Sequence, residues 1–148
     1  MKNLLWLCVG VTLFAGCEKT IEEPAFSIVP YIILEGVSSD TIIQFQENIR
    51  LTISYEDGDG DLGTSDPDVN QIFIKDARLE AADEYYLPPL SPEDASISIQ
   101  GSFEVQLSPT FLLGNGTQET TIFTIYVVDQ AGNKSNVIET DPILILKE

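Results

Sequence analysis

Apolar and polar residues alternate along much of this chain with a period of two. The clearest stretch sets Ile49, Leu51, Ile53 and Tyr55 against Arg50, Thr52, Ser54 and Glu56. That is the pattern of a strand with one buried face. A short apolar run over 31–34, followed by the turn-forming Gly36, Ser38, Ser39 and Asp40, reads as an earlier strand. Ile72, Phe73 and Ile74 predict another. Ile97 and Ile99, then Phe103, Val105 and Leu107, alternate on either side of Gly101, where a bulge or turn is expected. Residues 121–128 are β-branched or aromatic on both faces, as a central strand would be, and 143–146 close the series. Between them, Leu113-Gly114-Asn115-Gly116 predicts a tight turn and Asp129-Gln130-Ala131-Gly132-Asn133 a loop. Residues 81–84 would close a helical turn, but Pro88, Pro89 and Pro92 exclude a longer helix there. About seven strands without a long amphipathic helix predict an all-β, antiparallel β-sandwich.

One stretch interrupts the alternation with chemistry. Asp57-Gly58-Asp59-Gly60-Asp61-Leu62-Gly63 follows the best strand directly and puts three carboxylates at alternate positions. Clustered carboxylates repel and raise one another's pKa. A hard cation is the usual compensation, and Ca²⁺, with six to eight oxygen ligands, tolerates irregular loops. Asp57, Asp59, Asp61 and Asp68 fall at positions 1, 3, 5 and 12 of a helix-flanked calcium loop, but Leu62 occupies the position that needs glycine and the flanks read as strands. A calcium loop on a β scaffold is therefore one reading. Tight Asx-type turns, with the carboxylates bonded to neighbouring backbone N–H groups, are the other.

The first sixteen residues stand apart. Lys2 precedes an apolar run over 4–14 that is too short for a stable membrane span, and small residues follow it, the layout of an export signal. Phe14-Ala15-Gly16-Cys17 resembles a bacterial lipobox, with Phe14 where leucine is commonest. The resemblance implies a signal peptide over 1–16, a lipid on Cys17, and membrane attachment through it. An ordinary cleaved signal with a free cysteine is the alternative. Cys8 would leave with the signal, so no cysteine pair remains for a disulfide. Residues 17–29 read as lipidated cysteine and polar tether, and 30–148 as a single domain. Glu22-Glu23 loosely resembles the acidic signal that sends some Bacteroidota lipoproteins to the outer face of the outer membrane.

All 24 acidic residues lie beyond the signal, in a chain of net charge −17. Such a field disfavours nucleic acid and anionic surfaces while leaving cations and basic surfaces open; it also simply keeps an exported protein in solution. With no histidine and Cys17 blocked, the usual zinc, copper and haem ligands and the Ser-His or Cys-His nucleophile pairs are missing from the sequence. No enzyme is expected. A small carboxylate-based glycoside hydrolase is kept as the alternative, because acidic pairs are plentiful. An accessory subunit of an outer-membrane assembly is a further one.

The run Val127-Val128-Asp129-Gln130-Ala131-Gly132-Asn133-Lys134-Ser135-Asn136, followed by a terminal strand, resembles the end of bacterial immunoglobulin-like and fibronectin-III-like domains. With the strand leading into the acidic loop, it is similar to small Bacteroidota surface lipoproteins carrying such a domain. The disulfide and buried tryptophan of true immunoglobulins are missing, since Trp6 lies in the signal. The resemblance implies an immunoglobulin-like sandwich in which the loops after the second and sixth strands share one end. Asp129 would then join Asp57, Asp59 and Asp61 as a calcium ligand. A non-catalytic binding or structural module is implied, with a glycan or an envelope protein as ligand. Tyr85 and Tyr86, beside Pro88 and Pro89, are the candidate contact residues, or else part of a loop packed on its own core.

Overall fold

The computed structural model describes residues 25–92 and 95–148. The signal-like run, Cys17 and most of the expected tether lie outside the described residues. The described chain forms ten strands and, within it, no helix. They are β1 (Tyr31–Val37), β2 (Thr41–Ile43), β3 (Arg50–Asp57), β4 (Ile72–Asp76), β5 (Asp83–Tyr85), β6 (Ile99–Gln106), β7 (Gln118–Thr121), β8 (Phe123–Val127), β9 (Ile138–Glu139) and β10 (Ile143–Leu146).

One sheet has the order β1-β3-β6, a second β2-β10-β7 and a third β5-β4-β8-β9. All pairings are antiparallel except β2 with β10. The second and third sheets continue one another. Only Ile122 separates β7 from β8, and its carbonyl accepts from Ala77 N–H at 3.0 Å. Residues 140–142 separate β9 from β10, where Phe123 and Thr140 exchange bonds of 3.0 and 3.1 Å. The first strand pass also splits, β1 in one layer and β2 in the other. Ten strands thus amount to seven passes of the chain, in the two layers of a β-sandwich.

The alternation explains the layers. Ile49, Leu51 and Ile53 are fully buried and Tyr55 nearly so. They meet Ile72 and Ile74 of β4, Phe123, Ile125 and Val127 of β8, and Ile143 and Ile145 of β10 in one core. Strand β8 looked apolar on both faces because its outward Tyr126 stacks on Phe73 across the β4 pairing, centroids 4.9 Å apart, with the Lys134 ammonium 3.6 Å from the tyrosine ring.

Three local expectations are corrected. Residues 81–84 form no helical turn; Asp83–Tyr85 is β5, which satisfies its backbone by pairing with the edge of β4. The β6 register runs through Gly101 without a shift, while the irregularity lies in β1, between Leu34 and Gly36. The 113–116 loop has no glycine at positive φ; the Glu119 carboxylate accepts from the N–H groups of Leu113 and Gly114 and holds it.

Gly101 has a packing role instead. It faces Tyr55 across the β3–β6 ladder, and a Cβ there would lie 2.8 Å from the tyrosine hydroxyl. Gly36, by contrast, has open space around it. Gly101→Val is expected to cost about 1–3 kcal/mol by overpacking, read as a lower urea midpoint together with altered near-ultraviolet dichroism from Tyr55. Gly36→Ala should leave both unchanged; equal effects at the two sites would contradict this account.

Candidate metal centre

The acidic loop begins as a continuation of β3. Ile53 and Tyr55 point inward, and the period of two carries Asp57 inward after them. A carboxylate therefore stands where the core pattern calls for an apolar side chain, and Asp57 is fully buried. Its Oδ2 accepts from Leu62 N–H at 3.1 Å, which closes the loop upon itself. Its Oδ1 has no protein partner, and neither have the buried Oδ1 atoms of Asp59 and Asp61. One carboxylate oxygen from each of the three lies within 4.8 Å of the others.

Glycines let the neighbours close in. Gly60 and Gly63 have φ of 75° and 88°, and a Cβ at Gly63 would lie 2.2 Å from the Pro88 carbonyl oxygen. Leu62 is buried as an apolar anchor, and Thr64 N–H donates to the Leu87 carbonyl at 2.9 Å. From the other side comes the loop after β8. Ala131 N–H donates to Asp61 Oδ2 at 3.0 Å, and the Gln130 side chain donates to the Gly63 carbonyl at 2.8 Å.

The loops after β3 and β8 therefore meet, as the immunoglobulin-like reading expected. Asp129 is buried among them, and its charge acts on both Asp57 and Asp61. Its carboxylate is engaged with Asn133, accepting from the backbone N–H at 2.7 Å and from the side-chain amide at 2.9 Å. The close set of oxygens consists of Asp57, Asp59 and Asp61.

Burial dominates the electrostatics. It pushes the Asp57 carboxyl above its ordinary range, the Leu62 N–H offsets part of this, and the charges of Asp59 and Asp129 add to the rise. Asp61 is pushed up to about 6, first by burial and then by Asp129 and Asp59, against the Ala131 N–H. Buried polar atoms are normally partnered, so three orphaned oxygens in one place are an unmet demand for positive charge. The group can hold a metal ion. An all-oxygen donor set suits hard cations rather than thiophilic metals.

No protein-family model, curated protein or solved structure matches this chain.

The expected contact tyrosines, Tyr85 and Tyr86, are held by their hydroxyls. Tyr85 packs against the core edge and its hydroxyl accepts from Ser108 N–H at 3.3 Å. Tyr86 is half exposed, and its hydroxyl donates to the Thr64 carbonyl at 2.7 Å. Both hydroxyls fasten loops. Sequence reasoning missed the backbone and hydroxyl partners of the acidic loop, among them Ser27, Ser91 and Ser98. Their only sequence signal is the glycine at 58, 60 and 63, which marks close approach without saying by what.

Proposed function

We propose that the protein is an exported, lipid-anchored β-sandwich, stabilised by Ca²⁺ at Asp57, Asp59 and Asp61, that serves as a non-catalytic binding or structural module of the cell envelope. The observation that carries the calcium reading is a trio of aspartates that each hold a buried, unpartnered Oδ1 and together bring one carboxylate oxygen apiece within 4.8 Å of one another. Ca²⁺ suits it better than Mg²⁺, which demands near-octahedral geometry and gives up its waters reluctantly. Peptide carbonyls of the loop and water would complete the shell. The anchor rests on Phe14-Ala15-Gly16-Cys17 and its resemblance to a lipobox. A glycan or a neighbouring envelope protein is the class of partner this architecture suits, bound through loops or a strand edge.

A thermal melt of the purified protein in EDTA, Mg²⁺ and Ca²⁺ tests the metal. Ca²⁺ at a hundred times its dissociation constant should add about 2.7 kcal/mol, several degrees in midpoint, with little from Mg²⁺. Identical melts in calcium and chelator would sink the reading.

The same melt has a pH signature. Asp61 titrates near 6 in the folded, metal-free protein, above the ordinary 3.8. The folded state then binds the proton more tightly than the unfolded chain, and this stabilisation is complete below about 4 and lost as pH rises through about 6. Calcium competes with that proton, so the calcium increment should be small at pH 4 and grow across the same interval.

A further inference from the structure

Between Asp57 and Asp59 stands Gly58, and the beginning of the described chain closes on it. Gly58 N–H donates to the Ser27 carbonyl at 2.8 Å. The Ser98 hydroxyl donates to the Gly58 carbonyl at 2.9 Å and accepts from Ala25 N–H, also at 2.9 Å. A Cβ on Gly58 would fall 2.3 Å from the Phe26 carbonyl oxygen and 2.7 Å from that of Ser27. The last residues expected to be tether are thus seated on the acidic loop. Their seat is a single residue flanked by two of the three carboxylates, one of them the fully buried Asp57.

We propose that the cation is a clasp for the entry of the chain: an ion held by Asp57, Asp59 and Asp61 fixes Gly58 and thereby docks residues 25–27 on the sandwich. The proposal rests on the calcium reading above. Without the ion, three like charges crowd a loop in which Gly58 must hold its place to keep these bonds. With it, their mutual repulsion becomes shared attraction to one centre, and Gly58 has a single position. The two events are linked thermodynamically, so a docked segment must tighten the ion by the factor by which the ion favours docking.

The consequence is a leash whose length depends on calcium. Cys17 precedes Ala25 by eight residues, which reach at most about 28 Å when extended. Release up to Val29 adds four more, for about 42 Å. With calcium, a lipid on Cys17 would hold the metal end of the sandwich toward the membrane.

Residue-resolved amide exchange on the purified protein, in Ca²⁺ and in EDTA, tests this. The Ala25 and Gly58 amides should exchange at least about tenfold more slowly in Ca²⁺, while Lys147 N–H, bonded to the Thr117 carbonyl at the opposite end, changes no more than the fold as a whole. Ser98→Ala removes the bridge between Ala25 and Gly58; it should abolish the extra protection of Ala25 and weaken calcium affinity severalfold. Gly58→Ala should do the same more strongly, and Ser98→Ala keeps the test alive if that variant does not fold. A calcium-raised melting point with unchanged exchange at Ala25 and Gly58 would overturn the clasp and leave the calcium reading standing. No calcium effect on melting would overturn both.

Discussion

Arg78→Met is expected to destabilise the domain by about 3–5 kcal/mol, measured as the loss in urea unfolding free energy at pH 7. Arg78 lies just beyond β4 with its side chain mostly buried, 14% exposed, against an Asp76 side chain that is 8% exposed. The fork meets Asp76 through Nε at 3.0 Å and Nη2 at 2.6 Å, while Nη1 reaches Glu119 at 2.7 Å and the Phe111 carbonyl at 2.9 Å. The Thr121 hydroxyl donates to the same aspartate. Burial by itself would raise the Asp76 pKa, but the bonds from Arg78 and Thr121 outweigh it and hold the carboxyl below its usual range. Removing the guanidinium strands that carboxylate, and stranding a buried charge is far costlier than losing an exposed pair. Arg50 and Glu104 supply the comparison. They are 3.9 Å apart and more than half exposed, so Arg50→Met should cost under about 1 kcal/mol.

The deficit has a pH sign. Asp76 in the wild type contributes stability above its unfolded pKa and loses it as pH falls through the lower folded value. In the variant, burial wins and the folded pKa rises, so the gap between the two proteins should narrow toward pH 3. A loss below 1 kcal/mol at pH 7, or a gap that widens in acid, would contradict the network's role. Its position gives it weight: Asp76 ends β4, while Glu119 and Thr121 lie in β7, so one arginine ties the third sheet to the second.

Little of that network could be read from the chain. Asp76 and Arg78 are two charged residues among many, and what buries them is the arrival of β7 some forty residues later. The strands themselves were legible where one face is buried, because alternation is a direct imprint of the layers; β3 and the second half of β6 are examples. Strand β5 was not, since Asp83, Glu84 and Tyr85 are strand only by virtue of the edge they meet. Nor were the breaks at Ile122 and 140–142, which no local pattern marks. Gly101 was legible as unusual, but its partner Tyr55 is set by register, which no local pattern states. The acidic loop was the most legible feature, since like charge at alternate positions needs an explanation wherever it lies. The approach of Asp129 followed from topology. Its capture by Asn133 did not, because that bond depends on the shape of one five-residue loop.

At the metal centre the decisive variant is Asp57→Asn, expected to raise stability without calcium and to lose most of the gain that calcium brings. In EDTA at pH 7 the wild type keeps a fully buried carboxylate with one unpartnered oxygen, amid Asp59 and Asp61. Asparagine retains an oxygen for the Leu62 N–H and replaces the orphan with an amide N–H directed at the neighbouring carboxylates. Removing an unsatisfied, repelled group of this kind should raise stability by about 1–3 kcal/mol. In saturating Ca²⁺ the same change removes one of three anionic ligands from the most enclosed position. The increment of about 2.7 kcal/mol at a hundredfold excess over the wild-type dissociation constant should then largely vanish. Where the gain in chelator is smaller than the calcium increment lost, the melting order inverts: the variant above the wild type in chelator and below it in calcium. A purely structural aspartate behaves otherwise. If Asp57 only closed a turn through Leu62 N–H, the variant would be neutral or weaker in both buffers and calcium would shift neither protein. Inversion thus separates a site built to be completed by a cation from an acidic turn complete in itself.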